Sequence, residues 1–162
     1  MQRYTDRIVD AELDELLGLP AIALEGPNGV GKTSTAQRRA RTVLRMDDPG
    51  DRELLAADPA RLDTSEPPVL IDEWQRLPLA WDLVRRSVDR DHSGGRFLLT
   101  GSAGPATPPS HSGAGRIVRL RMRPLSLAER GLPEGPAVSL GDMLTGTATI
   151  AGASTMTLPD DV

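Results

Sequence analysis

The chain has 162 residues, which is enough for one domain with a buried core. Its net charge of −4 and its few scattered aromatic residues (two Trp, one Tyr and one Phe) do not indicate a nucleic-acid-binding surface. The absence of cysteine excludes disulfides and thiolate metal sites, and no apolar run is long enough to span a membrane, so we expect a cytoplasmic protein.

Short apolar runs alternate along the chain with segments of helical periodicity. In chain order, the patterns predict a helix over 5–17, a strand over 21–25, a helix over 32–41, a strand over 42–46, a helix over 51–62 with a break at Pro59, a strand over 69–71, a helix over 78–89, and strands over 96–100 and 117–122. A short helix over 124–130 follows. This alternation predicts an α/β fold with about five parallel strands between two layers of helices.

The signal for regular structure fades beyond residue 131, where the chain becomes rich in Thr, Ala and Gly. We therefore expect one core domain over 1–130 and a poorly ordered C-terminal segment over 131–162.

The segment after the first strand, GPNGVGKT, has the GxxxxGK[ST] pattern of a phosphate-binding loop and opens a predicted helix. Glycines allow backbone N–H groups to point inward and form a nest for an anion, and the helix adds its own N-terminal amides. Lys32, the only lysine of the chain, would reach the β- and γ-phosphates, and the Thr33 hydroxyl would ligate Mg²⁺. The predicted nucleotide-binding residues are Gly26, Pro27, Asn28, Gly29, Val30, Gly31, Lys32, Thr33 and Ser34.

An apolar strand, PVLI, runs directly into Asp72 and Glu73. Alone, such an acidic pair is most often the solvated start of a loop. Next to a phosphate-binding loop, however, Asp72 is predicted to hold Mg²⁺ and Glu73 to orient and deprotonate the attacking water. We expect ATP and Mg²⁺ as ligands.

Two further segments carry candidate catalytic groups. Thr100, at the end of the strand FLLT, could sense the γ-phosphate or hold the water, and Ser102 is a weaker candidate for that role. Arg116 closes a loop rich in Gly, Pro and Ser, where an arginine could reach phosphate in its own or a neighbouring subunit. The alternating arginines at 119, 121 and 123 are expected to be solvated.

Taken together, five segments resemble a family of prokaryotic AAA-type ATPases that carry a C-terminal domain of unknown function. The segments are GPNGVGKT, MDDPGDRELLAADPARL, VLIDEWQRLP, FLLTGS and GRIVRLRMRPLSLAERG, and they cover about residues 4–145. The resemblance implies a sheet in the order 5-1-4-3-2. It also supports Glu73 as the catalytic carboxylate, Thr100 or Ser102 as the phosphate sensor, and Arg116 as a motif arginine.

Two features depart from that family pattern. DEWQ stands where relatives usually have text like DEIQ, and relatives continue well beyond the LSLAERG segment into their C-terminal domain. We therefore expect a truncated or core-only member that forms a homo-oligomer or takes the missing domain from a partner.

Three functions are compatible with these residues. An ATP-hydrolysing AAA-type core is favoured by the Asp72-Glu73 pair, because a small-molecule kinase has no use for a carboxylate poised to activate water. A kinase of the phosphate-loop class and a nucleotide-binding regulatory module without turnover are the alternatives.

Overall fold

The computed structural model describes residues 4–102, 114–126, 128–130 and 140–147, and the following account is confined to them. Its helices and strands, in chain order, are α1 (Ile8–Leu16), β1 (Ala21–Glu25), α2 (Lys32–Gln37), β2 (Thr42–Arg45), α3 (Pro49–Ala57), α4 (Arg61–Thr64), β3 (Val69–Asp72), a 3₁₀ turn (Trp74–Arg76), α5 (Leu79–Arg90), β4 (Phe97–Gly101), β5 (Val118–Arg121) and α6 (Leu140–Leu144).

All five strands run parallel in one sheet, in the order β2-β3-β4-β1-β5. This is the predicted order 5-1-4-3-2 read from the opposite edge, so the predicted fold is confirmed. The carboxyl ends of β1, β3 and β4 meet at one edge of the sheet, where ligands of open parallel sheets bind.

Side-chain alternation along the strands builds a hydrophobic core on each face of the sheet. In β1, Ala21 and Ala23 join the core that also holds Trp81 of α5, whereas Ile22 and Leu24 join the core that holds Leu13 of α1. Helices α3, α4 and α5 cover the first face, and α1 and α2 cover the second. The sheet therefore lies between two helical layers, as the α/β alternation predicts.

Helix α1 begins at Ile8 instead of residue 5, and two other helices differ from the predicted boundaries with an identifiable local cause. Helix α2 ends at Gln37 instead of 41, because the amide of Arg41 already donates to the Pro68 carbonyl (2.9 Å) and draws the chain into the ladder with β3. Helix α3 begins at Pro49, earlier than expected, because the Asp48 side chain caps it by accepting from the Gly50 amide at 2.7 Å.

A further difference concerns the predicted helix over 124–130. The described residues there form turns with one helix-type hydrogen bond, from Arg130 N to Ser126 O (3.2 Å). Ser126 and Glu129 form a capping box, in which the Glu129 carboxylate accepts the Ser126 amide (2.7 Å) and Ser126 Oγ accepts the Glu129 amide (3.2 Å), so the helical turn begins at Ser126 and not at residue 124. Most of 131–162 lies outside the described residues, so its predicted disorder stays a prediction.

Candidate functional site

The loop that follows β1 is shaped by its glycines. Gly29 and Gly31 adopt positive φ angles of 77° and 95°, a conformation that side chains with a Cβ disfavour. At Gly26 a Cβ would lie 2.2 Å from the Met122 carbonyl oxygen, so only glycine fits where the loop leaves the sheet. The backbone between β1 and α2 therefore has the turns that a phosphate nest requires.

Lys32, the first residue of α2, lies over this loop. Its side chain is buried, with 5% of the residue exposed, and its ammonium donates to the Pro27 carbonyl at 2.7 Å. The only lysine charge of the chain is thus held within the loop, where it can pass from a carbonyl oxygen to a phosphate oxygen with a small movement.

Asp72 brings together three elements at the carboxyl edge of the sheet. Its Oδ1 accepts a hydrogen bond from Thr33 Oγ1 at 2.8 Å and another from the hydroxyl of Thr100. The register explains the meeting, because β3 and β4 are neighbours and pair Ile71 with Leu99, one residue before Asp72 and Thr100. The predicted Mg²⁺ ligands, Thr33 and Asp72, are therefore adjacent.

The chemistry of this oxygen pair suits Mg²⁺. A hydroxyl and a carboxylate supply the hard oxygen ligands that Mg²⁺ prefers, and the ion usually takes one or two protein oxygens together with water and phosphate oxygens. Among the described residues no cluster of three or more His, Cys, Asp or Glu side chains could hold a metal ion by itself. The residues thus fit a cation that arrives with a nucleotide.

Glu73 follows directly, in a left-handed backbone conformation (φ 53°) that is uncommon for a non-glycine residue. Its amide donates to Thr100 Oγ1 at 3.4 Å, and its carboxylate accepts from the side-chain amide of Gln75. Gln75 is not among the site residues that the sequence predicts. Its contact with Glu73 fixes where the proposed base points.

Both hydroxyls considered as phosphate sensors lie at this edge, with different contacts. Thr100 is buried against Asp72, whereas Ser102 bonds to the side chain of Asn28 in the phosphate loop. Thr100 is thus bonded to the carboxylate of Asp72, and Ser102 connects the chain after β4 to the tip of the phosphate loop.

Arg116 lies elsewhere. It precedes β5, and the pairing of Ile22 with Val118 puts it about six residues, or about 20 Å, from the phosphate loop along the strand direction. Its guanidinium bonds to Asp89 at 2.8 Å and holds the pKa of that carboxyl below its ordinary value. Arg116 therefore lies at the edge of the sheet opposite the phosphate loop of its own chain.

A cleft that the sequence analysis missed opens beside the phosphate loop. It has a volume of about 660 Å³, and its lining includes Tyr4, Ser34, Thr35 and Arg38 as well as Gly31. The Tyr4 hydroxyl lies 2.8 Å from Thr35 Oγ1, and the Arg38 guanidinium lies 4.2 Å from the centre of the Tyr4 ring. An aromatic ring near the chain start is a weak signal, and only the fold brings it to α2.

Comparison with known proteins agrees with this geometry. A family model described as an AAA domain matches residues 19–130. The uncharacterized proteins Mb2031c of Mycobacterium bovis and Rv2008c of Mycobacterium tuberculosis are each 30% identical over 118 residues, which cover 69% of this chain and 27% of theirs. The matched region therefore spans about a quarter of the length of these relatives.

The described residues contain no helix that is both long and apolar enough to cross a membrane.

The matched range contains the phosphate loop, Asp72, Glu73 and Thr100, which are the residues that the fold gathers at one edge of the sheet. On this evidence the chain belongs to the family of AAA domains.

Proposed function

We propose that this chain binds ATP with Mg²⁺ at residues 26–34 and hydrolyses it to ADP and phosphate. The observation that carries the proposal is that the hydroxyls of Thr33 and Thr100 both donate to one carboxylate oxygen of Asp72, beside the phosphate loop. A glycine-rich turn without a ligand has no need of a buried acid shared by two hydroxyls from different elements.

In this proposal the phosphates occupy the loop and the nucleoside occupies the adjacent cleft. The loop amides and Lys32 neutralise phosphate charge, and the N-terminus of α2 adds a partial positive charge of about half a unit. The cleft presents the Tyr4 ring and the Arg38 guanidinium, which are flat groups suited to stacking on a base. Ser34 lies at the junction between the two regions.

The hydrolytic step assigns a role to each group at the carboxyl edge. Glu73 accepts a proton from a water molecule as its oxygen attacks the γ-phosphorus. The bond from that phosphorus to the bridging oxygen breaks, and ADP leaves with the bonding electrons. The Thr100 hydroxyl donates to Asp72 and accepts from the Glu73 amide, and it thereby holds both residues in place. Mg²⁺, held by Thr33 and Asp72, would neutralise the charge on the leaving phosphates.

Phosphate release from ATP in the absence of any acceptor tests this function and separates it from the alternatives. We expect release by the unmodified chain and almost none by Glu73→Gln purified in parallel, which also controls for contaminating ATPases. Formation of ADP and a phosphorylated acceptor, without free phosphate and only after addition of the acceptor, would indicate a kinase. ATP binding without release in either preparation would indicate a regulatory binding module.

Arg116 has a place in the proposal only across an interface between chains. A homo-oligomer would let its guanidinium approach phosphate bound to a neighbour, and a partner that carries further domains is the other candidate for completing the site. We place the reaction in the cytoplasm, because the chain has no cysteine and no apolar run of membrane length.

A further inference from the structure

Arg7, which directly precedes α1, contacts the phosphate loop. Its guanidinium donates to the Val30 carbonyl at 2.5 Å, to the Arg123 carbonyl at 2.7 Å and to Glu129 Oε1 at 3.0 Å. The residue is 8% exposed although it carries a charge. A buried guanidinium with three acceptors on two segments, the phosphate loop and the chain after β5, is held in one orientation.

Glu129 is the counter-ion that holds this guanidinium. Its carboxylate also accepts the backbone amides of Ile8 (2.8 Å) and Ser126 (2.7 Å). The hydrogen bond from the Ser126 amide, with support from the other donors, lowers the pKa of Glu129 to about 2. The carboxylate is therefore charged at every pH at which the protein would work, and the Arg7–Glu129 pair persists.

The hydrogen bond from Arg7 to the Val30 carbonyl affects the orientation of the whole Val30–Gly31 peptide group. In a planar trans peptide, the C=O of one residue and the N–H of the next point in opposite directions. A Val30 carbonyl held toward Arg7 therefore turns the Gly31 N–H away from Arg7. The φ of 95° at Gly31 then carries the chain into α2.

We propose that Arg7 is a positioning residue for nucleotide binding: it fixes the Val30–Gly31 peptide so that the Gly31 N–H faces the phosphates, and Glu129 fixes Arg7. This inference rests on the proposed ATP function and extends it to two residues distant in sequence. Because Glu129 neutralises the guanidinium, Arg7 acts through geometry and not through attraction of phosphate.

The test is a titration of the full chain with ATP–Mg²⁺, using Arg7→Lys, Glu129→Gln and the double variant. A lysine ammonium cannot reach three acceptors in the directions that the guanidinium serves, so we expect about tenfold weaker binding, the effect of one lost charge-assisted hydrogen bond. Glu129→Gln removes the charge and keeps only one acceptor oxygen, whereas the amides of Ile8 and Ser126 bond to different oxygens of Glu129, so it should weaken binding by a similar factor. The double variant should bind no worse than the weaker single variant, since both act through one contact.

Arg96→Lys is the matched control. Arg96 is also a partly buried arginine with several acceptors, including Asp63 at 2.9 Å and the Ser87 carbonyl at 3.0 Å, but it lies at the opposite edge of the sheet. Its substitution should lower the urea midpoint of unfolding and leave ATP affinity unchanged. Turnover at saturating ATP should also stay within about twofold in Arg7→Lys, because a positioning role in binding affects affinity and not the chemical step.

The possible outcomes are distinct. If Arg7→Lys and Glu129→Gln lose only stability and bind ATP as tightly as the unmodified chain, the inference is overturned while the ATP function stands. Multiplicative losses in the double variant would also overturn it, because the pair would then not act as one unit. Should Arg7→Lys fail to fold, Glu129→Gln alone still decides. An unmodified chain that binds no ATP would overturn the proposed function itself.

Discussion

At the scale of single residues, Asp72 and Glu73 are neighbours in sequence with separate tasks. Asp72 is buried and shared by two hydroxyls, whereas Glu73 is half-buried, has a positive φ and has its carboxylate on Gln75. Positive φ at a non-glycine residue costs on the order of 1 kcal/mol and persists where the surroundings enforce it. The strain at Glu73 is consistent with a side chain that must point in a required direction.

The separate roles of Asp72 and Glu73 predict that conservative substitutions at the two residues affect different properties, ATP affinity and turnover. Glu73→Gln keeps the shape and removes the base, so ATP binding should be retained while turnover falls by about 10²-fold or more. Binding by titration and turnover by phosphate release, measured on one preparation, check this. Normal turnover in Glu73→Gln would mean that another group activates the water.

For Asp72→Asn we expect a loss of binding. The amide is a poorer ligand for a hard cation, so the part of ATP affinity that depends on Mg²⁺ should fall. Titrations with and without Mg²⁺ isolate that part. If the two titrations weaken equally, Asp72 acts on the loop through Thr33 and not on the metal.

At the scale of elements, the close approach of the phosphate loop to the end of β5 predicts a sharp intolerance at Gly26. In Gly26→Ala the new Cβ would lie 2.2 Å from a backbone oxygen that cannot move without disturbing the sheet. Overpacking of this kind costs about 1–3 kcal/mol, so the urea midpoint and the ATP affinity should both fall. Gly18→Ala is the matched control, because nothing lies within 4 Å of its Cβ and its φ is not positive. Equal stability of the two variants would contradict the described contact.

The segment after β5 predicts a pH dependence through Glu129. Its pKa is about 2 in the folded protein and 4.5 in the reference state, so the unfolded chain binds the proton more tightly. The stabilisation it contributes is therefore complete above about pH 4.5 and is lost as the pH falls toward 2. Urea midpoints of the unmodified chain and Glu129→Gln should converge over that interval. A constant difference between them would show that the Glu129 charge does not stabilise the fold.

Features that depend on local pattern could be predicted from the sequence. Strand alternation and the GxxxxGK[ST] pattern are short-range signals, and parallel strands bring Asp72 and Thr100 to one edge. The contact between Arg7 and Glu129 joins residues 122 positions apart, and the cleft joins Tyr4 to α2, so neither has a local signal. The position of Arg116 away from the phosphate loop follows from the parallel pairing of β5. A residue that precedes a parallel strand lies at the edge opposite the phosphate loop.

At the scale of the whole molecule, the position of Arg116 predicts slow turnover by the isolated chain. Because Arg116, the predicted arginine finger, lies at the edge of the sheet opposite Asp72 and Glu73 of its own chain, we expect turnover slower than about 1 s⁻¹, below the range typical of enzymes. Turnover per chain should rise with protein concentration if Arg116 acts across an interface.

Arg116→Ala should abolish that rise and leave ATP affinity intact. Asp89→Asn is the matched variant, because it frees the same guanidinium from its ion pair without removing it. Fast turnover that is independent of concentration and unchanged in Arg116→Ala would contradict an action in trans.

If the loop after β1 holds the phosphates of ATP, Lys32→Ala should weaken binding when the variant is titrated with ATP–Mg²⁺. Lys32 is the only lysine and already bonds within the loop at 2.7 Å, so its loss should remove at least one charge-assisted hydrogen bond of about 1.5–3 kcal/mol. We expect affinity about 10- to 100-fold weaker than that of the unmodified chain, with the fold intact by circular dichroism. Unchanged affinity in Lys32→Ala would contradict the site.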